Sequence, residues 1–325
     1  MEKVVAVTGC WSFLGANIIA RLQNLEDIRI VAIDLSKPDF LNERSKFYRV
    51  DLTDPASDIM LYEILDRENV DTFVHLAFFR WLSKKSLSYF HEVEVIGTYH
   101  VLSACARKKI KKFVLRSWTG IYGADPMNPA LIREDRQPRI MHSNKHMRDR
   151  LEAEMLVQEF SKKQKDIQVF ILRHCTALGP NIRNHMTWYL SGAVVFTILG
   201  YDPMIQFIHE EDAIDSLILT VLDDKPPGIY NVVGRGALPL SYIVRLAGKL
   251  NFPIPHSLAY LIMLSMWNSG MSPISPEYIN YFKYTYVADG TKSEKELGFL
   301  PRYSTKDTVE EFVGLMRLKN LRIKM

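Results

Sequence analysis

The sequence predicts an α/β fold built on a doubly wound parallel sheet, and three observations carry that reading. Apolar runs of strand length alternate with amphipathic segments of helix length over the first half of the chain; such alternation gives a parallel sheet covered on both faces. The first strand runs into a glycine turn, Thr8-Gly9-Cys10-Trp11-Ser12-Phe13-Leu14-Gly15, that opens a helix. The second strand ends on an acid, Asp34.

Val4 to Val7 suit a buried strand, and Leu14, Ile18, Ile19 and Leu22 recur at helical spacing, so a backbone turn sits where one becomes the other. Gly9 lets the chain reverse sharply, the following helix points free N–H groups and its positive end at an anion, and Gly15 lets helix and strand pack closely. Asp34 closes the strand Ile28 to Ile33. A carboxylate there can accept both ribose hydroxyls of an adenosine and would repel a 2′-phosphate, which favours NAD over NADP. Ser12 stands where the T-G-x-x-G-x-x-G pattern takes its second glycine; serine is the smallest substitute that still offers a donor, so weakened rather than abolished cofactor binding is expected.

A third strand, Lys46 to Val50, ends at Asp51-Leu52, and a helix covers Ala56 to Arg67. The fourth strand, Val70 to Leu76, leads through Ala77 into an aromatic loop, Phe78-Phe79-Arg80-Trp81. A long helix over Tyr89 to Arg107, a fifth strand over Lys112 to Leu115, a helix over Asn144 to Lys162 and a sixth strand over Ile167 to Leu172 complete the alternation. From Arg173 onward proline-marked loops and mixed helices replace it, with Ile205 to Ile208 and Ile229 to Val233 expected to rejoin the first sheet. The expected division is therefore discontinuous. Residues 1–173 plus 204–233 form a Rossmann-type dinucleotide-binding domain, and residues 174–203 plus 234–325 a smaller, mainly helical substrate domain with helices near 239–250, 256–268, 276–283 and 304–317.

Composition narrows the class. The 325 residues are 47% hydrophobic, enough to bury a core in one large domain or two modest ones. Lys plus Arg at 41 against Asp plus Glu at 37 is too balanced for a nucleic-acid binder. The one basic run, Arg107 to Lys112, reads as a solvated helix end. Cys10, Cys105 and Cys175 form no C-x-x-C pair and no metal-ligand spacing, so no metal and a reduced, cytoplasmic compartment are expected. No charged-then-apolar leader precedes the first strand. Trp188 to Leu199 and Leu258 to Trp267 are too short for an ordinary membrane span and are expected as core helices or pocket walls, with a membrane-facing or lipid-binding surface as the sharper alternative.

In this order the motifs resemble the extended short-chain dehydrogenase/reductases, specifically the NAD-dependent epimerase/dehydratase group. Val7-Thr8-Gly9 with Gly15 looks like the cofactor loop, Asp51-Leu52 like the adenine-contacting acid and its neighbour, and His75-Leu76-Ala77 like the segment along the cofactor. Gly97-Thr98 with Leu102 matches the long helix, although Glu94 stands where the pattern usually has Asn. Ile121-Tyr122-Gly123, Leu172-Arg173, Gly179-Pro180, Phe207-Ile208-His209 with Asp212-Ala213, Tyr230-Asn231-Val232 and Leu297-Gly298-Phe299 with Pro301 follow in the family's order. The resemblance implies NAD as cofactor, with contacts from Gly9, Trp11, Ser12, Phe13, Leu14, Gly15, Asp34, Asp51, Leu52, Leu76, Ala77, Phe78 and Arg150. By analogy it also implies a homodimer through the helices near Tyr89 to Arg107 and Asn144 to Lys162.

The departure lies at the chemistry. Family enzymes use a Ser or Thr, a Tyr that moves the proton and a Lys that lowers its pKa. Counting back from Tyr122-Gly123 puts Trp118 at the Ser/Thr position, with Ser117 and Thr119 beside it. Aligning Leu151-Glu152-Ala153-Glu154 puts Arg150 at the Lys position and His146 at the Tyr position. The last two are four apart on one helix face, as a Tyr-x-x-x-Lys pair would be. Histidine exchanges protons near neutral pH; a guanidinium binds hydroxyls but does not relay a proton as lysine can. Two readings stay open, a rebuilt acid/base site and a polar helix on a decayed one. Ser117, Thr119 and Tyr122 remain candidate donors, with His142 and Lys145 as weaker candidates. On the substrate side Arg183 and Arg235 fall where related nucleotide-sugar enzymes bind phosphate, and Trp118 joins Phe78, Phe79, Trp81, Trp188 and Trp267 as candidate pocket aromatics. A sugar nucleotide is the expected small-molecule substrate. An apolar pocket would favour a sterol-like or other lipid substrate instead, and a catalytically silent NAD-sensing or scaffold protein is the third reading.

Overall fold

The protein is described by a computed structural model over residues 2–78, 87–141 and 144–322. Phe79, Arg80, Trp81 and His142 lie outside the described residues. In chain order β1 (Lys3–Thr8), α1 (Phe13–Leu22), β2 (Ile28–Asp34), β3 (Lys46–Arg49), α2 (Ser57–Arg67) and β4 (Thr72–His75) lead to α3 (Leu87–His91) and α4 (Gly97–Lys108). Then come β5 (Lys112–Trp118), α5 (Lys145–Lys163), β6 (Gln168–His174), β7 (Thr176–Leu178), α6 (His185–Tyr189), β8 (Val194–Ile198), β9 (Met204–Ile205) and β10 (Phe207–His209). The chain finishes with α7 (Glu210–Leu222), β11 (Gly228–Val232), β12 (Leu238–Pro239), α8 (Leu240–Leu246), β13 (Leu250–Ile254), α9 (His256–Asn268) and α10 (Thr305–Arg322).

Seven strands form one parallel sheet in the order β11-β6-β5-β4-β1-β2-β3. The chain winds outward from β1 in both directions, so the carboxyl ends of β1 and β4 open a crevice at the switch point, where α/β sheets bind ligands. Alternation along β1 sets the two layers. Val5 and Val7 pack with α1 and α7 on one face, and Val4 and Ala6 face the core shared with α2, α4 and α5 on the other. A third apolar cluster, from Leu240, Ile243 and Val244 to Tyr278, Tyr281 and Val309, takes in Trp118 and Met147 from the sheet side.

The sequence reading needs four corrections. Ile229 to Val233 does join the main sheet, as β11 beside β6, but 205–208 does not. With β11 on the edge of β6 that place is filled, and β10 pairs instead with β7, beyond Cys175. The helix expected over Tyr89 to Arg107 is interrupted by a π-helical turn at Glu92–Ile96. Trp188 to Leu199 is no core helix: its β-branched run Val194-Val195-Phe196-Thr197-Ile198 forms β8, paired with β13. The helix expected to reach residue 250 stops at Leu246, and Gly248, at φ +67°, turns the chain into that partner strand.

Two histidines are built into this core in the neutral form. His75 joins Thr8 Oγ1 (2.8 Å) to Thr98 Oγ1 (3.1 Å), and His174 Nε2 lies 2.8 Å from Ser216 Oγ. Burial pushes both down to about 3. The unfolded chain takes up these protons below ~6.5 and the native chain does not, so their contribution is complete above ~6.5 and is lost progressively as pH falls toward about 3. Stability is expected to fall by about 1.4 kcal/mol per pH unit per histidine in that window. Urea midpoints measured from pH 7 to pH 5 check this, and His174→Gln is expected to remove one histidine's share of the slope, about 1.4 kcal/mol per pH unit.

Candidate functional site

The turn after β1 is held from inside. Gly9 sits at φ +73°, and a Cβ there would lie 2.5 Å from Leu76 O on β4's exit; a Cβ on Gly15 would lie 2.2 Å from Gly9 O. Both places require glycine. Cys10, buried, points its thiol at Val7 O and Ile33 O, tying the turn to β1 and β2. Ser12 caps α1, its Oγ accepting from Gly15 N at 3.0 Å, while its own amide closes the turn on Gly9 O. Among the described residues no group accepts from the Phe13 and Leu14 amides, and both residues line the cleft. They are the orphan donors of a helix N-terminus, directed at an anion's place.

The cleft runs from there in two directions. One arm is lined by Thr8, Gly9, Trp11, Asp34, Asp51, Leu52, Leu76, Ala77, Phe78, Tyr89 and Val93. Asp34 is fixed by two backbone amides, Leu35 N to Oδ1 (2.7 Å) and Trp11 N to Oδ2 (3.3 Å), so each oxygen keeps lone pairs for hydroxyl donors. The Trp11 indole, half exposed, bonds Ser36 O at 2.7 Å and walls this arm. Asp51 turns its Oδ1 to Thr53 N and Oγ1.

The other arm shares Ser12, Leu76 and Phe78 with the first and adds Arg116, Trp118, His146, Arg150, Arg183, Asn184, His185 and Tyr278. Trp118, His146 and Arg150, singled out in the sequence, line this arm together, and Glu94 lies against the last two. His146, buried on α5, lies 2.7 Å through Nδ1 from Tyr278 Oη and 3.6 Å through Nε2 from Glu94 Oε1. Arg150, one turn on, reaches the same Glu94 oxygen at 3.5 Å and lies over the Phe78 ring. Glu94 is delivered by the π-helical turn, which widens the helix locally. Burial lowers the pKa of His146 against the opposing pull of Glu94, and burial keeps Tyr278 protonated well above the ordinary tyrosine range. Trp118 lies over Gly120, stacks on Tyr281 (centroids 5.8 Å apart) and meets His185 edge-on. Arg116 brings a third guanidinium; burial and then Arg150 lower it to about 9, and its Nε has no hydrogen-bond partner among the described residues.

The remaining candidate residues fall elsewhere. Tyr122 does not face the cleft: its hydroxyl is buried between Asn231 Oδ1 and Arg173 Nη1, each at 2.7 Å, and burial pushes it up to about 12. Ser117 donates to Glu154, which Arg173 grips with two nitrogens, because alternation along β5 turns residue 117 away from the side of 116 and 118. Thr119 is buried and lines neither arm. Arg235 lies at a bridge to Ser304, also outside both arms, whereas Arg183 lines the second. Tyr278, Arg116, Asn184 and His185 went unrecognised in the sequence. Tyr278 sits in a 3-10 turn after Pro276 with no motif to mark it, and Arg116 could have been found as a lone cation in an apolar strand.

A glycine turn at the sheet's switch point, an acid at the end of β2 and a cleft between sheet and C-terminal cluster define a protein of the dinucleotide-binding fold. The chain belongs to the NAD-dependent epimerase/dehydratase family, whose model matches residues 5–233. An uncharacterised protein of Mycobacterium tuberculosis is 31% identical over 317 residues, covering 95% of this chain and 83% of that protein. The fold is similar to UDP-glucose 4-epimerase of Thermotoga maritima solved with UDP-glucose (TM-score 0.74, 16% identity, 98% of this chain and 99% of that one). It is also similar to UDP-glucuronic acid 4-epimerase of Bacillus cereus solved with UDP-glucuronic acid and NAD (TM-score 0.73, 19% identity, 97% and 99%).

Proposed function

We propose that this protein binds NAD along the cleft and acts as an oxidoreductase or epimerase on a sugar nucleotide, with a rebuilt proton relay. The observation that carries the proposal is the contact network Tyr278–His146–Glu94–Arg150, in which the family's replaced positions touch one another rather than standing apart. The fit to a dinucleotide rests on the glycine cradle, the open Phe13 and Leu14 amides and the doubly anchored Asp34. In this reading residues 1–173 plus 204–233 hold the cofactor and the remainder supplies the substrate side. Exposed Tyr99 on α4 and Met155 on α5 offer apolar contacts for a homodimer.

Bound NAD would supply the acceptor and donor of hydride. The chain's own residues handle the proton. The Glu94 carboxylate, 3.6 Å from Nε2, favours N–H on that nitrogen and leaves Nδ1 to accept from Tyr278 Oη. As a substrate hydroxyl is oxidised, its proton passes to Tyr278 Oη while the Tyr278 proton moves to His146 Nδ1, and Glu94 stabilises the imidazolium. The reverse sequence returns the proton to a carbonyl. Arg150 holds Glu94, and Arg116 with Arg183 supplies positive charge toward an anionic part of cofactor or substrate.

Calorimetric titration with NAD, NADH, NADP and NADPH, followed by turnover assays on UDP-glucose and UDP-glucuronic acid, tests the proposal. Preference for the unphosphorylated pair and sugar-nucleotide turnover are the expected results; cofactor binding without turnover would leave a silent NAD-binding protein. Asp34→Ala is expected to weaken NAD about tenfold or more, the worth of a charge-assisted hydrogen bond, and to narrow the gap to NADP. Equal affinities for NAD and NADP in the wild type would remove Asp34 from the ribose site.

A further inference from the structure

The substrate side of the molecule turns an apolar surface outward. β8 and β13 pair in parallel with Val194 opposite Leu250 and Phe196 opposite Phe252. Those four side chains are all exposed on one face, the two phenylalanine rings edge-on at 6.2 Å, while Val195 and Thr197 point inward and are buried. A sheet face open to water normally carries polar residues; on this one the outward side chains of both strands are apolar. α9 begins directly after Pro255 and continues the surface with exposed Leu258 and Leu261. Only Ala259 and Trp267 of that helix are buried, although its sole polar side chains after His256 are Ser257, Tyr260, Ser265 and Asn268. No charged residue occurs from Leu250 to Pro276.

The surroundings carry one sign of charge. No Asp or Glu occurs from Lys225 to Pro276, and Arg245 and Lys249 stand just before Leu250. Arg317, exposed on α10, reaches Leu246 O. Asp202 is bound to Ser241 at the opposite end of α8. A two-fold contact between copies would bring cationic rim against cationic rim. An anionic bilayer complements both parts, the lipid interior taking the phenylalanines and leucines and the headgroups taking the cations. We infer that this protein docks on anionic membrane surfaces through the β8–β13 face and the first turns of α9. No helix among the described residues is long and apolar enough to cross a membrane, so the attachment is interfacial.

Flotation of the full chain with vesicles tests the inference. With equal parts phosphatidylcholine and phosphatidylglycerol at low salt the protein is expected to float, with pure phosphatidylcholine to float about tenfold less, and with added salt to be released. Phe252→Glu with Leu261→Glu is expected to reduce flotation about tenfold with the thermal midpoint and NAD titration unchanged, since both positions are exposed. Lys249→Glu with Arg317→Glu, which alters no buried group, should do the same. Failure of the wild type to float with either vesicle overturns the inference. So does a concentration-dependent dimer in sedimentation that Phe252→Glu dissociates without any vesicle binding, which would assign the face to a second copy.

Discussion

Replacing His146 by Ala is expected to lower turnover about 10²- to 10⁴-fold, the usual worth of a positioned general base, while NAD affinity stays within about twofold. In the proposed relay His146 takes its proton through Tyr278 while its Nε2 faces Glu94, so the three would act as a unit. Tyr278→Phe should therefore cost about as much as His146→Ala, and the double variant little more than either. The pH profile carries the sign: the proposed relay needs neutral imidazole and burial lowers the pKa of His146, so activity should persist to the acid side of the ordinary histidine value, ~6.5, and fall only at still lower pH. Steady-state kinetics on the sugar-nucleotide substrate from pH 5 to pH 8 checks both points. Unchanged turnover in His146→Ala would return this helix to a purely structural role.

The network also explains how much of the site is legible in the sequence. The strand–turn–helix unit from Val4 to Leu22 and the acid at Asp34 are local patterns, set within a few residues by periodicity and glycine geometry, and the parallel sheet follows from their alternation with helices. His146 and Arg150 were legible because i to i+4 spacing puts them on one face. Their partners were not. Glu94 is reached through a π-helical turn that no hydrophobic period announces, and Tyr278 comes from more than a hundred residues further along the chain. That Tyr122 and Ser117 turn away from the cleft has a similar cause: position in the sequence does not show what each neighbour across the fold, Arg173 or Glu154, claims first. The apolar run 188–199 misled for another reason. Burial was inferred from hydrophobicity, and here hydrophobic residues face out.

A pair of substitutions with opposite expectations separates the turn's two departures from an ordinary loop. Gly9→Ala meets two independent penalties: a left-handed φ of +73°, which costs an L-residue about 1–2 kcal/mol, and a Cβ at 2.5 Å from the Leu76 carbonyl, which must push β1 and the exit of β4 apart. That displacement moves the Phe13 and Leu14 amides and the Leu76–Phe78 wall together, so NAD binding is expected to fall below detection in calorimetry along with a loss of about 2 kcal/mol or more of stability. Ser12→Gly works the other way. It gives up the cap on Gly15 N, where glycine costs only a few tenths of a kcal/mol, and it clears the hydroxyl from the mouth of the helix, letting a phosphate approach the backbone closely. NAD affinity in that variant is expected to equal or exceed wild type by up to about tenfold. If Gly9→Ala bound NAD as the wild type does, the anion would not sit on this helix; if Ser12→Gly lost binding, the serine would itself be a ligand, donating its hydroxyl to the phosphate in place of capping the helix.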